Sequence, residues 1–199
     1  MFISFEGIDG SGKSTQAKLL ASYLTDQGRD VVLTREPGGS PGAEEIRRLL
    51  VEGGSDRWSP ETELLLFTAA RRDHVERVIR PALERGAFVI SDRFADSTRV
   101  YQGTARADLR EKVESLHKLM IGLEPDRTFV IDVPAEIGLG RGNARGSVEA
   151  RFESMGLGFQ AALREGFHKL AEEAPDRVIL IDGSGSPEEV AARVRDSLG

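Results

Sequence analysis

The segment FEGIDGSGKST, residues 5–15, restricts the fold of this chain more than any other stretch. From Gly7 to Ser14 it matches the pattern G-x-x-x-x-G-K-[ST] without a mismatch. The apolar run FISF precedes the pattern, and a segment with helical spacing, AKLLASYLTDQG, follows it. Glycines allow backbone N–H groups to turn inward, and the start of a helix adds partial positive charge. The sequence therefore predicts a strand, an anion-binding loop and a helix, in that order.

This loop is expected to bind the phosphates of a nucleoside triphosphate. Lys13 would contact the β- and γ-phosphates, and the Ser14 hydroxyl would ligate Mg²⁺. An ordinary glycine-rich turn with Lys13 in solvent is the alternative. Asp9 brings a carboxylate into the loop, either as a turn former or as a group that faces a second substrate. The predicted nucleotide contacts are Gly7, Ile8, Asp9, Gly10, Ser11, Gly12, Lys13, Ser14 and Thr15.

Four further apolar runs predict the rest of a sheet: DVVLT, AFVIS, RTFVIDV and RVILID. Each run is continuous rather than alternating, which is typical of strands covered on both faces. Helical segments separate the runs. One of them, ETELLLFTAARRDHVERVIRPALERG, is either one long helix or two abutting helices. We expect a single α/β domain over residues 1–199, with five parallel strands flanked by helices.

Composition limits the possible function classes. With 199 residues, of which 39% are hydrophobic, the chain can bury one sizeable core. Its net charge of −6 argues against a general nucleic-acid-binding surface. No apolar run is long enough to span a membrane, and the N-terminus lacks the pattern of a secretion signal, so we expect a cytoplasmic protein with no membrane partner. The absence of cysteine excludes disulfides and thiolate metal sites.

An acceptor site would distinguish a kinase from the other proteins that carry such a loop. No N-K-x-D-type stretch for guanine is present, and a motor would usually require a larger chain. Asp92 and Arg93 follow the run AFVIS, so they lie at the carboxyl end of a strand, where ligands bind in open α/β sheets. We expect Asp92 to hold Mg²⁺ and Arg93 to clamp an acceptor phosphate. An ion pair between these two side chains is the alternative.

Four motifs, EGIDGSGKST, TREPGG, LLFTAARRDHV and DRFADSTRVYQG, resemble those of thymidylate kinases in their order and spacing, and the similarity runs from about residue 3 to about residue 183. The resemblance implies the nucleoside monophosphate kinase version of the P-loop NTPase fold. It also implies phosphorylation of dTMP to dTDP with ATP and Mg²⁺, by a homodimer. A kinase for another pyrimidine or deoxynucleoside is an alternative, as is a nucleotide-binding regulatory module without catalysis.

The same resemblance implies a dTMP site. Phe67 resembles the phenylalanine that stacks on thymine, and Arg71, on the same helix face, resembles the arginine that binds a thymine carbonyl. Tyr101 resembles the tyrosine that lies where a ribose 2′-hydroxyl would project. Without the resemblance, Phe67 would be interpreted as core and Arg71 as a solvated charge. The implied dTMP contacts are Asp9, Arg35, Pro37, Arg47, Phe67, Arg71, Arg93, Ser97, Thr98, Tyr101 and Gln102.

Some of these positions have purely structural interpretations as well. Pro37 lies in a Pro-Gly turn of the motif TREPGG, and Arg47 could be a surface charge paired with Glu44. Asp96 or Ser97 could cap the helix that contains ADSTRVYQ. Each alternative predicts a particular partner for the side chain concerned.

A lid is expected from residue 138 to residue 151, a stretch rich in glycine and arginine. Phosphoryl transfer between two anions requires distributed positive charge, and the loop has Gly10 where related kinases can carry an arginine. The resemblance is to the bacterial type of the enzyme, in which arginines of the lid close over ATP. The glycines of the stretch would give hinge freedom, and a solvated disordered loop is the alternative. The candidate lid arginines are Arg141, Arg145 and Arg151.

Overall fold

The computed structural model describes the backbone of residues 1–54, 57–105, 109–145 and 156–198, and their side chains except those of 104–105 and 142–145. Arg151 and the side chain of Arg145, both predicted lid residues, lie outside the described residues.

Five parallel strands form one sheet in the order β2-β3-β1-β4-β5, which confirms the predicted five-stranded parallel sheet. Strand β1 is central, and its neighbours on both sides come later in the chain. The chain adds β2 and β3 on one side of β1 and then β4 and β5 on the other, so a crevice opens at the carboxyl ends of the strands beside β1. The strands are β1 Phe2–Glu6, β2 Val31–Arg35, β3 Phe88–Asp92, β4 Arg127–Asp132 and β5 Val178–Asp182.

Helices cover both faces of the sheet. The segment expected to be one long helix or two abutting helices is continuous helical chain, in which α3 passes through a π-helical stretch, Val75–Ile79, into α4. Ser59 begins α3 by accepting a hydrogen bond from the Thr62 N–H at 3.2 Å. Further π-helical stretches, Tyr101–Ala105 and His117–Ile121, extend α5 and α6. The helices are α1 Lys13–Asp26, α2 Pro41–Val51, α3 Pro60–His74, α4 Arg80–Glu84, α5 Ala95–Val100, α6 Arg110–Leu116, α7 Ala135–Arg145, α8 Gly156–Glu173 and α9 Pro187–Asp196.

The core lies on both sides of the sheet, which explains the continuous apolar runs. Ile3 and Phe5 point to one face, where they pack in a cluster with residues of α1 and α9. Phe2 points to the other face and packs with Ile79 and Phe94. All five residues of β1 are buried, including the last, Glu6. Among the described residues, no helix is long and apolar enough to cross a membrane.

Candidate active site

The loop after β1 has the backbone geometry that its glycines predict. Gly7, Gly10 and Gly12 have φ angles of 133°, 75° and 100°, in the region that side chains disfavour. A Cβ on Gly7 would lie 2.7 Å from the carbonyl oxygen of Ile131 in β4, so a larger residue does not fit there. Gly12 caps α1, whose first turn contains no acidic residue. The N-terminal N–H groups of α1 are thus available to an anion.

Lys13 is buried beside this loop rather than in solvent. Its Nζ donates a hydrogen bond to the carbonyl oxygen of Ile8 at 3.2 Å and lies 3.5 Å from Asp9 Oδ1. The alternative of an ordinary turn with Lys13 in solvent is therefore wrong. The ammonium group is held at the mouth of the loop, where phosphates are expected.

The Asp9 carboxylate binds Arg93 and Tyr101, which follow β3. Its Oδ1 accepts a short hydrogen bond from Arg93 Nη2, and its Oδ2 accepts one from the Tyr101 hydroxyl at 3.4 Å. Burial pushes the pKa of the Asp9 carboxyl upward, but the charges of Arg93 and Lys13 outweigh it and hold the pKa below its ordinary value. Asp9 is therefore a carboxylate that joins the loop to the residues after β3.

The expected alternative for Asp92 and Arg93, an ion pair between them, is wrong because Arg93 pairs with Asp9. Asp92 Oδ1 is buried and has no hydrogen-bond partner in the described part of the chain. Asp92 lines a cleft beside α1 and β2, which we call the Asp92 cleft. Its other lining residues are Ser14, Ala17, Lys18, Leu33, Thr34, Arg35 and Gly39.

Arg93 has an unusual backbone conformation. Its φ angle is 72°, and it is the one non-glycine residue with positive φ in the described ranges. Ser91 Oγ donates to the Arg93 carbonyl at 2.7 Å, and the Arg93 N–H donates to Phe5 O at 2.9 Å. Its guanidinium stands over the Tyr101 ring, with the central carbon 5.1 Å from the ring centroid. This conformation turns the side chain from the end of β3 into the crevice.

A second cleft, which we call the acceptor cleft, is lined by Asp9 and Arg93. It brings together nine of the predicted dTMP contacts, and it adds Glu36, Leu50, Val51 and Phe94, which were missed as site residues. Glu36 stands within the quoted motif TREPGG, which was the available signal, whereas Leu50 and Val51 end an ordinary amphipathic helix. The predicted residues that line the cleft are Asp9, Pro37, Phe67, Arg71, Arg93, Ser97, Thr98, Tyr101 and Gln102.

Arg71 is fixed in this cleft, so its interpretation as a solvated charge is wrong. The residue is only 4% exposed. Its Nε donates to Glu36 Oε2 at 2.7 Å, and its Nη2 donates to Phe94 O at 3.1 Å and Thr98 Oγ1 at 3.0 Å. Burial raises the pKa of Glu36, but the charge of Arg71 and contacts with His74 hold it below its usual range. Phe67, interpreted as core from the sequence alone, is half-buried and lines the cleft.

Two predicted acceptor residues lie elsewhere. Arg35 forms a bidentate ion pair with Glu44, in which Arg35 Nη1 lies 2.7 Å from Glu44 Oε1. Arg35 lines the Asp92 cleft and not the acceptor cleft. Glu44 is thus the partner of Arg35, and the alternative of a surface pair between Arg47 and Glu44 is wrong. Arg47 instead donates to the carbonyl oxygen of Pro37 at 2.7 Å, and Pro37 lines the acceptor cleft.

Asp96 and Ser97 do not cap α5, so that structural alternative is also wrong. The N-cap position is Phe94, whose side chain cannot accept a hydrogen bond. Asp96 is fully buried and binds Arg99 and Arg177. Ser97 donates its hydroxyl to Glu6 Oε2.

The expected lid segment starts inside α7. Residues 138–145 have helical backbone, and Gly138 is packed tightly against the phosphate loop. A Cβ on Gly138 would lie 2.7 Å from both the Asp9 carbonyl oxygen and Ile8 Cδ1. Gly138 is therefore a fixed contact between α7 and the loop, whereas Gly140 is exposed with open space around it. Arg141 is exposed on the same helix.

Comparisons with known proteins identify the family. The thymidylate kinase family profile matches residues 5–194. The chain is 70% identical to a thymidylate kinase of Dinoroseobacter shibae, over 96% of this chain and 93% of that protein. It is 61% identical to a thymidylate kinase of Ruegeria pomeroyi, over 98% and 93% of the two chains. A crystal structure of thymidylate kinase from Ehrlichia chaffeensis superposes with a TM-score of 0.81 at 37% identity, covering 100% of this chain and 98% of that one. The chain belongs to the thymidylate kinase family, the nucleoside monophosphate kinases that phosphorylate dTMP to dTDP.

Proposed function

We propose that this enzyme transfers the γ-phosphoryl group of ATP to dTMP in a reaction that requires Mg²⁺. The observation that carries the proposal is the Asp9–Arg93 pair, because it makes one wall common to the phosphate loop and the acceptor cleft. Donor phosphates on the amide side of the loop and an acceptor phosphate beside Arg93 would then be neighbours, as direct transfer requires.

On the donor side, the N–H groups at the start of α1 and the buried Lys13 ammonium would bind the phosphates of ATP. The donor is proposed to be ATP because the family resemblance implies it. Arg141 is the described candidate for the lid arginine that neutralises the transferred group. That role, with the roles of Arg145 and Arg151, stays a prediction.

The Asp92 cleft suits the expected metal. Asp92 Oδ1 is a buried oxygen without a partner in the described residues, and Ser14 lines the same cleft. A hydroxyl and a carboxylate are hard oxygen ligands of the kind that Mg²⁺ takes while keeping several waters. Ser14 would bind the ion directly, and Asp92 would hold it directly or through water. When bound, the ion would neutralise charge on the triphosphate.

The acceptor cleft suits a pyrimidine deoxynucleotide. Phe67 offers an aromatic surface for thymine, and Arg71 is held so rigidly by Glu36 and Thr98 that it can present a further N–H to a thymine carbonyl. The Tyr101 ring stands against Arg93, where it would leave no room for a ribose 2′-hydroxyl. Ser97, Thr98 and Gln102 supply polar groups around the base and sugar.

The reaction would need positioning and charge more than proton transfer. A phosphate oxygen of dTMP attacks the γ-phosphorus of ATP in line, the bond to the β-phosphate bridging oxygen breaks, and ADP leaves. The acceptor phosphate is already ionised near neutral pH, so no strong general base is required. Arg93 would hold the acceptor, while Asp9 keeps the Arg93 guanidinium aligned and can accept a hydrogen bond from the 3′-hydroxyl.

The proposal is tested by ADP release from ATP in the presence of dTMP, dUMP, dCMP or thymidine, with and without Mg²⁺. Strong stimulation by dTMP that depends on Mg²⁺ is expected. Stimulation by dCMP but not by dTMP would overturn the acceptor assignment. Full activity in EDTA would overturn the metal assignment.

We also propose that the enzyme is a homodimer that associates through α3 and the π-helical stretch His117–Ile121. These two elements touch, since Arg72 Nη1 donates to Met120 O at 2.7 Å. Together they expose three large apolar side chains, a kind of surface that marks an interface. The side chains are those of Leu65, 58% exposed, Leu119, 74% exposed, and Met120, 43% exposed. The cytoplasmic location stays a prediction.

Analytical ultracentrifugation tests this assembly. The wild-type chain should sediment as a dimer and Leu119→Asp as a monomer. Leu157→Asp, which changes an exposed leucine on α8, is the matched control and should remain dimeric. A monomeric wild type, or an unchanged dimer in Leu119→Asp, would contradict the proposed face.

A further inference from the structure

Glu6 is a charged residue in an unexpected place. It is the last residue of the central strand β1, immediately before the phosphate loop, and it is 0% exposed. No part of the phosphoryl transfer described above uses it. A carboxyl group buried this completely is costly unless its oxygens are hydrogen-bonded.

Both Glu6 oxygens have partners, and both partners follow the same functional residue, Arg93, in the chain. Oε1 accepts a hydrogen bond from the Phe94 N–H at 2.7 Å, and Oε2 accepts one from the Ser97 hydroxyl. Phe94 directly follows Arg93, and Ser97 lies one helical turn later. Glu6 therefore ties the chain just after the strained Arg93 backbone to the central strand.

The contact with Ser97 also reaches the guanidinium of Arg93. Because the Ser97 hydroxyl donates its proton to Glu6, its oxygen lone pairs face the other way, and Ser97 Oγ accepts a hydrogen bond from Arg93 Nη1 at 3.0 Å. Nη1 also donates to Gly7 O at 3.4 Å, and Nη2 binds Asp9. Asp9 thus orients the Nη2 group of Arg93. A chain of hydrogen bonds from Glu6 through Ser97, which we call the relay, orients the Nη1 group.

We propose that Glu6 is a positioning residue for the acceptor phosphate, acting on Arg93 through the Phe94 N–H and the Ser97 hydroxyl. The proposal rests on the assignment of Arg93 to the dTMP phosphate. Glu6 itself does not line the acceptor cleft, and its effect passes through its two partners. This positioning role predicts that substitution of Glu6 changes KM for dTMP and has little effect on KM for ATP.

An ionised carboxylate only accepts hydrogen bonds, whereas an amide also donates them, so glutamine should not replace Glu6 without a functional effect. Glu6→Gln keeps one oxygen for the Phe94 N–H but turns an NH₂ group toward Ser97 Oγ. The serine then accepts from the amide, and its own proton turns toward the Arg93 N–H group, where donor meets donor. Shape is preserved while the direction of the relay is reversed.

The test compares steady-state constants for both substrates at pH 8, above the pKa of Glu6, in Glu6→Gln and in a matched control, Asp126→Asn. Asp126 also accepts a backbone N–H of β1, from Phe2 at 2.7 Å, but at the opposite end of the strand. In Glu6→Gln, KM for dTMP should rise about tenfold, as expected for one misaligned hydrogen bond to a charged group. KM for ATP should change less than about twofold, and Asp126→Asn should change neither constant.

A double-mutant cycle separates this relay from general damage to the fold. In a Ser97→Ala background the relay is already broken, so Glu6→Gln should add clearly less than its effect on KM for dTMP in the wild type. Equal rises in KM for ATP and dTMP, or full additivity with Ser97→Ala, would overturn the proposal. If Glu6→Gln fails to fold, Glu6→Asp withdraws the carboxylate by one methylene, and it must show the same selectivity for dTMP.

The outcomes also separate this inference from the assigned activity. If the wild-type enzyme does not use dTMP, the function proposed above fails. If the wild type uses dTMP normally and Glu6→Gln has the same KM for dTMP, only the positioning role fails.

Discussion

Gly10 and Gly138 are in direct backbone contact, and neither position has room for a side chain. A Cβ on Gly10 would lie 2.0 Å from the carbonyl oxygen of Gly138, and a Cβ on Gly138 would meet the Asp9 carbonyl. The phosphate loop therefore packs against α7 through bare glycine backbone. An arginine at position 10 would require α7 to move away. This contact gives a physical reason for the glycine in the loop and for the expectation that a lid supplies the missing charge.

Substitution of the two α7 glycines by alanine should have opposite effects. Gly140→Ala places a methyl group in open space, so it should stabilise the fold by about 0.5–1 kcal/mol through helix propensity. Gly138→Ala forces α7 off the loop and should destabilise the fold by about 1–3 kcal/mol. Urea unfolding and kcat of both variants check this. Equal stability of the two variants would show that the contact between Gly138 and the phosphate loop is loosely packed.

Replacing Arg71 by lysine should impair use of dTMP. Arg71 holds Glu36 and Thr98 with separate nitrogens of its fork, and one ammonium group cannot do the same while reaching a base carbonyl. We expect KM for dTMP to rise about 10- to 100-fold, the loss of one or two hydrogen bonds to a charged group. Arg72→Lys is the neighbouring control, because Arg72 does not line the acceptor cleft and pairs with Glu76. A comparable rise in KM for dTMP in both variants would show that Arg71 has no specific role in binding dTMP.

Asp9→Asn should separate the two substrates. The carboxylate stabilises Arg93 on the acceptor side, and it also lies 3.5 Å from Lys13 Nζ. Neutralising it should raise KM for dTMP at least about tenfold by releasing Arg93. ATP affinity should stay the same or improve, since one negative charge near the triphosphate is removed. Calorimetric titration with a non-hydrolysable ATP analogue and steady-state kinetics measure the two effects. An equal loss of affinity for ATP and for dTMP would show that Asp9 acts only as a turn former.

The pH dependence of stability should differ between the wild type and Glu6→Gln. Burial, then the nearby charge of Asp96, raises the pKa of Glu6 to about 7, although Ser97, Arg93 and the Phe94 N–H act in the opposite direction. A raised carboxyl pKa means that the folded state holds the proton more tightly than the unfolded chain. The wild type therefore loses stability as the pH rises from about 4.5 to 7, by about 3 kcal/mol in total.

Glutamine at position 6 has no such titration. Urea unfolding at pH 5, 6, 7 and 8 should show Glu6→Gln gaining stability relative to the wild type as the pH increases. The gain should level off above about pH 7, where the loss in the wild type is complete. A stability difference that is constant with pH would refute the prediction. A variant that is more stable at pH 8 yet poorer with dTMP would distinguish a positioning role from a structural one.

The sequence by itself determined the elements of the fold. Strands and helices follow from local spacing of apolar residues, and each strand of the sheet matches a continuous apolar run. The loop from Gly7 to Ser14 follows from glycines whose positive φ angles larger residues resist. Most of the residues that the family resemblance implied for the dTMP site line one cleft, because the motifs fix residue types and spacings along the chain.

Only the tertiary structure decided which charged groups are partners. Arg93 pairs with Asp9, 84 residues away, rather than with its neighbour Asp92. Glu44 pairs with Arg35, and Glu36 with Arg71, on different elements. The same is true of Glu6, whose partners lie 88 and 91 residues later. Local spacing predicts which face a side chain occupies, but the strength of a charge pair depends on distance and burial. Both are set when the parallel strands bring their carboxyl ends together.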